Sequence, residues 1–214
     1  MNAGPLVVTF PVSERTRAVI AEALGDVAAV VYLADVAASE REAVLRRAGA
    51  VLANDTSAEL SAAERQMITN ARLLQFTAAG IDWVPLLDLP PGLPVAGNGG
   101  ASAEPMAEHI LAVALAAAKR LFVEHALLKT GEFNQRSPNK MLRGGVCGIL
   151  GFGGVGQATA RLMRGIGMKV HAINRSGASP EPADWIGTPD RLDEMLRVAD
   201  VFVVCLALTR HTEG

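Results

Sequence analysis

The hydrophobic positions of the chain fall into short runs separated by stretches with helical patterns. The short runs are rich in Val and Leu, which is typical of parallel strands that are buried on both faces. Strands that alternate with helices predict parallel sheets with helices packed on their faces, an α/β fold. The predicted strands are 6–10, 27–33, 50–54, 73–76, 93–96, 146–150, 169–173 and 200–206.

Several helix ends are marked in the sequence. A serine followed three residues later by a glutamate predicts a capping box, a glycine predicts a helix C-terminus, and a threonine before proline predicts an N-cap. These signals are the pairs Ser39 with Glu42 and Ser61 with Glu64, the glycines Gly25 and Gly49, and Thr188 before Pro189.

The regular alternation breaks between residues 83 and 102, where four prolines and four glycines occur. This break predicts two domains, a flavodoxin-like substrate domain over 1–103 and a dinucleotide-binding domain over 104–214. A long helix over 104–128 is expected to join them. Both domains are expected to be doubly wound parallel sheets of the Rossmann type. The second is expected to be incomplete, because only three strands are evident where a complete dinucleotide fold has about six.

Composition narrows the function. The chain has 214 residues with 20 Lys and Arg against 22 Asp and Glu, a net charge of −2, so neither a nucleic-acid nor a membrane partner is expected. The N-terminus has no signal-peptide pattern, and a cytoplasmic protein is expected. Cys147 and Cys205 lie in apolar runs and are interpreted as buried thiols. No cluster of residues has metal-ligand spacing.

A glycine-rich stretch carries the main chemical signal. Gly151, Gly153 and Gly156 form a G-x-G-x-x-G pattern after a predicted strand and before a predicted helix over 155–164. In that context the first glycine permits a tight turn, the second lets a pyrophosphate approach, and the third lets helix and strand pack closely. The pattern favours a nicotinamide dinucleotide. A turn without ligand, or an S-adenosylmethionine or flavin site, would have similar geometry.

The end of the next predicted strand bears on the choice between NAD and NADP. An acidic residue is expected there if the site binds the ribose 2′-OH of NAD, but the chain has Asn174, Arg175 and Ser176. An amide, a guanidinium and a hydroxyl can bind a 2′-phosphate, so NADP is favoured over NAD. Alternatively, Arg175 stacks on the adenine or extends into solvent.

Together these features resemble the D-isomer-specific 2-hydroxyacid dehydrogenases, which include glyoxylate and hydroxypyruvate reductases. The resemblance covers almost the whole chain. Its motifs are Gly144-Gly-Val-Cys-Gly-Ile-Leu-Gly-Phe-Gly-Gly-Val-Gly-Gln157, Gly167-Met-Lys-Val170, Leu192-Asp-Glu-Met-Leu196, Thr77-Ala-Ala-Gly-Ile-Asp82 and Met106-Ala-Glu-His109.

The resemblance implies roles for further residues. Backbone N–H groups of Ala78, Ala79 and Gly80 would bind the substrate carboxylate. The family also forms dimers through the cofactor domain and the 104–128 helix, so the 110–118 face is the expected interface. Implied cofactor contacts are Met106, Gly154, Val155, Leu206, Ala207 and Thr212, and Ala207 departs from the proline usual in the family.

The family's catalytic arginine, glutamate and histidine would lie beyond the segment that ends at Thr212. The chain therefore resembles a C-terminally truncated member, and no catalytic residue is assigned in it. His211 with Glu213 is the one pair expected near the nicotinamide. Two hypotheses follow. The first is an oxidoreductase that transfers a hydride between NADPH and a 2-oxo or D-2-hydroxy acid, with the fragment itself inactive. The second is a non-catalytic module that binds a dinucleotide or another protein.

Overall fold

The structure is a computed structural model that describes residues 4–209 and 212–213. The chain divides into two compact units between Gly99 and Gly100, inside the Pro- and Gly-rich stretch. Each unit contains one sheet whose strands pair only in parallel within the described residues. The predicted α/β class is confirmed.

The first unit has a five-stranded sheet with the strand order β2-β1-β3-β4-β5, which is the flavodoxin-like order. Its largest fully buried side chains are Phe76, Leu33, Leu45 and Ile68. The elements are β1 (Leu6–Val8), α1 (Glu14–Leu24), β2 (Val30–Tyr32), α2 (Arg41–Arg46), β3 (Ala50–Ala53), α3 (Thr56–Glu59), α4 (Ala62–Arg65), β4 (Leu74–Phe76) and β5 (Val95–Ala96), with 3₁₀ turns at Leu33–Asp35, Ile68–Asn70 and Leu86–Asp88.

Of the four helix ends predicted in this unit, two are present and two are not. The capping box of Ser61 and Glu64 is present, and Gly25 ends α1 with a φ of 49°. The predicted box at Ser39 is wrong, because α2 begins after Glu40 and has no side-chain cap. Gly49 does not end a helix either. A Cβ there would overlap the backbone of Gly4, so close packing of two chain segments explains this glycine.

The second unit has a four-stranded sheet with the order β8-β7-β6-β9. This is the 3-2-1-4 part of the dinucleotide-binding strand order. Its core contains Cys147, Ile149, Met163 and Val170. The elements are α5 (Ala103–Ala118), α6 (Leu121–Lys129), β6 (Val146–Leu150), α7 (Gly154–Gly165), β7 (Lys169–Ile173), β8 (Trp185–Gly187), α8 (Leu192–Leu196) and β9 (Val201–Val204), with a 3₁₀ turn at Pro189–Arg191.

Two expectations for this unit need correction. The predicted helix over 104–128 is two helices, because Arg120 has a φ of 56° between α5 and α6. The sheet also has a fourth strand, β8, which sequence analysis missed because it is three residues long and is not a run of Val and Leu. Thr188 does precede a proline at a helix start, as predicted, but the first turn there is 3₁₀.

The apolar face of α5 packs against its own unit. Ile110, Leu111 and Ala114 are partly buried on the core of the second unit. In the expected interface over 110–118, six residues are partly buried, whereas Ala112, Val113 and Ala117 are exposed. Further exposed apolar side chains are found on α6, where Phe122 is 77% exposed and Leu121 is 54% exposed.

Candidate functional site

The glycine loop lies where the strand order of the second sheet reverses. β6 pairs with β7 on one side and with β9 on the other, and the chain runs from Leu150 through the loop into α7. In open parallel sheets, ligands bind beyond the carboxyl ends of the strands at such a switch point. The predicted order of strand, glycine loop and helix is confirmed.

The three glycines of the pattern have different surroundings. Gly151 has a φ of 97°, and a Cβ there would come within 2.6 Å of the Cys205 carbonyl oxygen. A Cβ on Gly156 would overlap the carbonyl of Gly151. Gly153 is exposed, and a Cβ there would have no atom within 4 Å. The fold itself requires Gly151 and Gly156, whereas Gly153 leaves open space beside the backbone.

The N-terminus of α7 suits an anion. No side chain caps this helix, and its first turn contains no acidic residue. The first N–H groups of a helix have no partner inside the helix, and the helix dipole is positive at this end. A pyrophosphate oxygen would fit the open space beside Gly153, so the loop fits a dinucleotide.

The start of α5 flanks the same loop. A Cβ on Gly154 would lie 3.6 Å from the Cβ of Ala103. Arg161 of α7 forms ion pairs with Glu104 at 2.5 Å and with Glu181 at 2.9 Å. These contacts fix α5 against α7. Met106 lies one turn into α5 and is 46% exposed.

Asn174 follows β7 and shapes the loop after it. Its Oδ1 accepts hydrogen bonds from the backbone N–H groups of Ser176 at 3.1 Å and Gly177 at 2.7 Å. Its Nδ2 donates to the carbonyl of Ala178 at 2.8 Å. Both ends of the amide therefore close an Asx-type turn, a role that sequence analysis did not give it. Arg175 is exposed, and its guanidinium bonds to no residue that the structure describes.

The segment after β9 returns to the glycine loop. The N–H of Cys205 donates to the carbonyl of Leu150 at 2.8 Å, and the Leu206 side chain would lie 3.1 Å from a Cβ on Gly151. The Thr212 hydroxyl donates to the Ala207 carbonyl at 2.7 Å. These three predicted cofactor residues thus belong to one turn near the loop. His211, of the proposed pair with Glu213, lies outside the described residues.

The predicted substrate loop of the first unit begins where β4 ends. The N–H of Thr77 donates to the carbonyl of Ala53 at 3.0 Å, and the N–H of Asn98 donates to the carbonyl of Ala78 at 2.8 Å. A Cβ on Gly97 would come within 2.7 Å of the Ala79 carbonyl oxygen. Within the described ranges, the N–H groups of Ala78, Ala79 and Gly80 donate no hydrogen bond. Three unused donors in succession can bind a carboxylate.

A polar network that the sequence pattern did not predict lies beside this loop. The Thr77 hydroxyl donates to Oδ1 of Asn54. The Glu59 carboxylate accepts from the hydroxyl of Thr9 at 2.5 Å and from the N–H groups of Asn54 and Asp55 at 3.2 Å and 2.8 Å. The signal that could have found it is the polar pair Asn54-Asp55 directly after β3, since adjacent parallel strands end at one edge.

Burial sets the protonation state of two thiols and one histidine in the second unit. Burial raises the pKa of Cys147 to about 12, and it raises the pKa of Cys205 as well, so both stay protonated at neutral pH. Cys205 is only half-buried, which corrects the prediction of two buried thiols. Burial also lowers the pKa of His171, which favours its neutral form. Among residues 4–209 and 212–213, no group of His, Cys, Asp and Glu could hold a metal.

The same described residues contain no helix that is long and apolar enough to cross a membrane.

The sheet order, the glycine loop and the uncapped α7 together define an α/β protein with a dinucleotide-binding unit. Residues 111–214 match the family model described as D-isomer specific 2-hydroxyacid dehydrogenase, NAD binding domain. The second unit, which contains these residues, belongs to the D-isomer specific 2-hydroxyacid dehydrogenase family and is a nicotinamide dinucleotide-binding domain.

Two curated relatives are named as reductases of 2-oxo acids. Glyoxylate reductase from Thermococcus kodakarensis is 36% identical over 108 residues, which are 46% of this chain and 32% of that protein. Hydroxypyruvate reductase from Thermotoga maritima is 30% identical over 125 residues, which are 56% of this chain and 39% of that protein. The chain thus matches about a third of the length of these curated relatives.

Solved structures match along nearly the whole chain. A D-isomer specific 2-hydroxyacid dehydrogenase family protein from Aeromonas salmonicida superposes with a TM-score of 0.82 at 25% identity, covering 98% of this chain and 66% of that one. A glycerate dehydrogenase related protein from Thermoplasma acidophilum gives 0.68 at 28% identity, covering 98% and 67%. The predicted Rossmann-like fold of both units is confirmed.

Proposed function

We propose that the chain belongs to an oxidoreductase that transfers a hydride between NADP(H) and a small 2-oxo or D-2-hydroxy acid. The observation that carries this proposal is the G-x-G-x-x-G loop at the switch point, with Gly153 open and α7 uncapped. The names of the relatives support the same reaction class and the same kind of substrate.

The second unit would hold the cofactor. The free N–H groups at Gly153, Gly154 and Val155 would bind the pyrophosphate, since helix N-termini favour anions. Met106, Leu206, Ala207 and Thr212 would complete the site around the loop. The nicotinamide supplies or accepts the hydride when the cofactor is bound.

NADP is favoured over NAD because a guanidinium is free where NAD-specific sites have a carboxylate. Arg175 would donate charge-assisted hydrogen bonds to the 2′-phosphate. The Ser176 hydroxyl bonds to the Ala178 carbonyl at 3.1 Å and to Oδ1 of Asn174 at 3.2 Å, so it would turn from these partners to join Arg175. Asn174 would act indirectly, because its amide holds the turn that presents both side chains.

The first unit would bind the substrate carboxylate through the N–H groups of Ala78, Ala79 and Gly80. Backbone donors recognise the group that all 2-oxo acids share, so this loop sets the substrate class and not the individual acid. We assign no catalytic residue to the described chain. We infer that the chain alone does not turn over substrate. We also infer that it is a cytoplasmic protein and that it forms a dimer through the second unit.

Two titrations on the folded chain test this proposal. Calorimetry should show binding of NADPH, with weaker binding of NADH. In a ¹⁵N-labelled sample, glyoxylate should shift the amide resonances of residues 78–80. A folded chain that binds neither nucleotide would contradict the dinucleotide site, and unshifted loop amides would contradict the carboxylate site.

Turnover is measured separately, by the fall of NADPH absorbance with hydroxypyruvate at high protein concentration. The expected rate equals the blank. A rate well above the blank would show that catalytic groups are present in the chain, with His211 the first to be replaced.

A further inference from the structure

One side chain of α7 reaches back into the glycine loop. Nε2 of Gln157 donates a hydrogen bond of 3.0 Å to the carbonyl oxygen of Phe152, and this bond is partly buried. Phe152 itself is buried and stands between Gly151 and Gly153. Gln157 is therefore hydrogen-bonded to the only residue between the first two glycines of the pattern.

This bond fixes the direction of a neighbouring donor. The carbonyl of Phe152 and the N–H of Gly153 belong to the same peptide group, which is planar and trans. In a trans peptide the two point in opposite directions. Because Gln157 holds the carbonyl on its own side, the N–H of Gly153 is turned away from Gln157.

That N–H is unused and accessible. Gly153 is exposed, its N–H donates to no group in the described part of the chain, and nothing lies within 4 Å of its Cβ position. The peptide turns about the ψ of Phe152 and the φ of Gly153. Because glycine leaves that φ free, the side-chain bond of Gln157 is what opposes the rotation.

We propose that Gln157 is a positioning residue for the dinucleotide, one that holds the Phe152–Gly153 peptide so that its N–H donates to a pyrophosphate oxygen. The inference rests on the proposed dinucleotide site. Gln157 would not touch the cofactor itself. Its effect would be confined to ligands that carry the pyrophosphate.

Calorimetric titration of the full chain with ADP-ribose and with adenosine tests this role. Gln157→Met keeps the length and the helix propensity of the side chain but removes the donor. We expect it to weaken ADP-ribose binding about tenfold, equal to about 1.4 kcal/mol. Adenosine, which has no pyrophosphate, should bind unchanged. Gln66→Met is the matched control, since it removes a hydrogen bond that the Gln66 side chain donates to the Asp88 carbonyl in the first unit.

The amide resonance of Gly153 gives a second readout. ADP-ribose should shift it strongly in the wild-type chain and weakly in Gln157→Met. If the Met variant does not fold, Gln157→Ala serves in its place, because Ala favours helix.

Equal ADP-ribose affinity in the variant and the wild type would overturn the inference, and so would an equal loss for ADP-ribose and adenosine. Both results leave the proposed function intact as long as the wild type binds ADP-ribose. A folded wild-type chain that does not bind ADP-ribose would overturn the dinucleotide site and this inference with it.

Discussion

Single residues decide the cofactor preference proposed for this chain. Arg175→Ala should remove most of the preference for NADPH over NADH, because the loss of a charge-assisted hydrogen bond costs about 1.5 to 3 kcal/mol. The measurement is the affinity for both nucleotides. Arg197→Ala is the control, since Arg197 is also exposed and its side chain has no partner in the described ranges. Equal affinities for NADPH and NADH in the wild type would contradict the assignment.

A second residue-scale prediction concerns the substrate loop. Gly97→Ala should displace residues 78–80, because the new Cβ would come within 2.7 Å of the Ala79 carbonyl oxygen. We expect the glyoxylate-induced amide shifts of the loop to be lost. Gly99→Ala provides the comparison, since nothing lies within 4 Å of its Cβ position. Unchanged shifts in Gly97→Ala would mean that the loop does not depend on this close approach.

At the scale of elements, the caps allow a matched comparison. Ser61→Ala should lower the free energy of unfolding by about 1 kcal/mol, because it removes the hydrogen bond that caps α4. Ser39→Ala should have almost no effect, because α2 has no side-chain cap although the sequence pattern is the same. Urea denaturation measures both. A similar loss in the two variants would show that Ser39 also stabilises a helix end.

The start of β6 is linked to the approach to β9 through Asp200. Its carboxylate accepts from Lys140 at 2.7 Å and from the N–H of Val146 at 2.8 Å. These two bonds lower the pKa of Asp200, and the bond from Lys140 has the larger effect. A carboxyl whose pKa is lowered on folding stabilises the fold above its unfolded pKa and loses that contribution as the pH falls.

Asp200→Asn should therefore destabilise the chain at neutral pH, and the difference from wild type should shrink below about pH 4. Denaturation at several pH values checks this. Asp193→Asn is the control, because the Asp193 carboxylate makes no bond within the described chain. If the difference in the free energy of unfolding stays constant with pH, the ionised carboxylate of Asp200 does not stabilise the fold.

At the scale of the whole molecule, exposed apolar residues predict association. Phe122 is 77% exposed on α6, and on β9 Val204 is 61% exposed and Phe202 is 42% exposed. Contiguous apolar patches mark contact surfaces, and Phe202 and Val204 are two residues apart on one face of β9. We expect light scattering to show a dimer or a larger species, and Phe122→Glu to reduce its mass. Leu87→Glu is the control, since it adds the same charge at a fully exposed side chain but lies in the first unit, outside the proposed interface. A monodisperse wild-type monomer would contradict the dimer.

The sequence by itself determined the α/β class and the site's main motif. Buried parallel strands are almost entirely apolar, so β6 and β7 were predicted with the correct bounds. The glycine pattern between β6 and α7 was also evident, because a loop with unusual backbone geometry needs glycine wherever another side chain would collide. Local rules sufficed there, since each signal lies within a few residues of the feature that it predicts.

Tertiary structure decided what local rules could not. β8 is a strand only because β7 offers it a pairing edge, and Arg120 divides a continuous helical pattern through one backbone angle. Asn174 holds a turn, and Gln157 orients a peptide, through partners that the sequence pattern does not reveal. The physical reason is that hydrogen-bond partners and close backbone approaches depend on distances in space, whereas hydrophobic period and glycine spacing are properties of the chain.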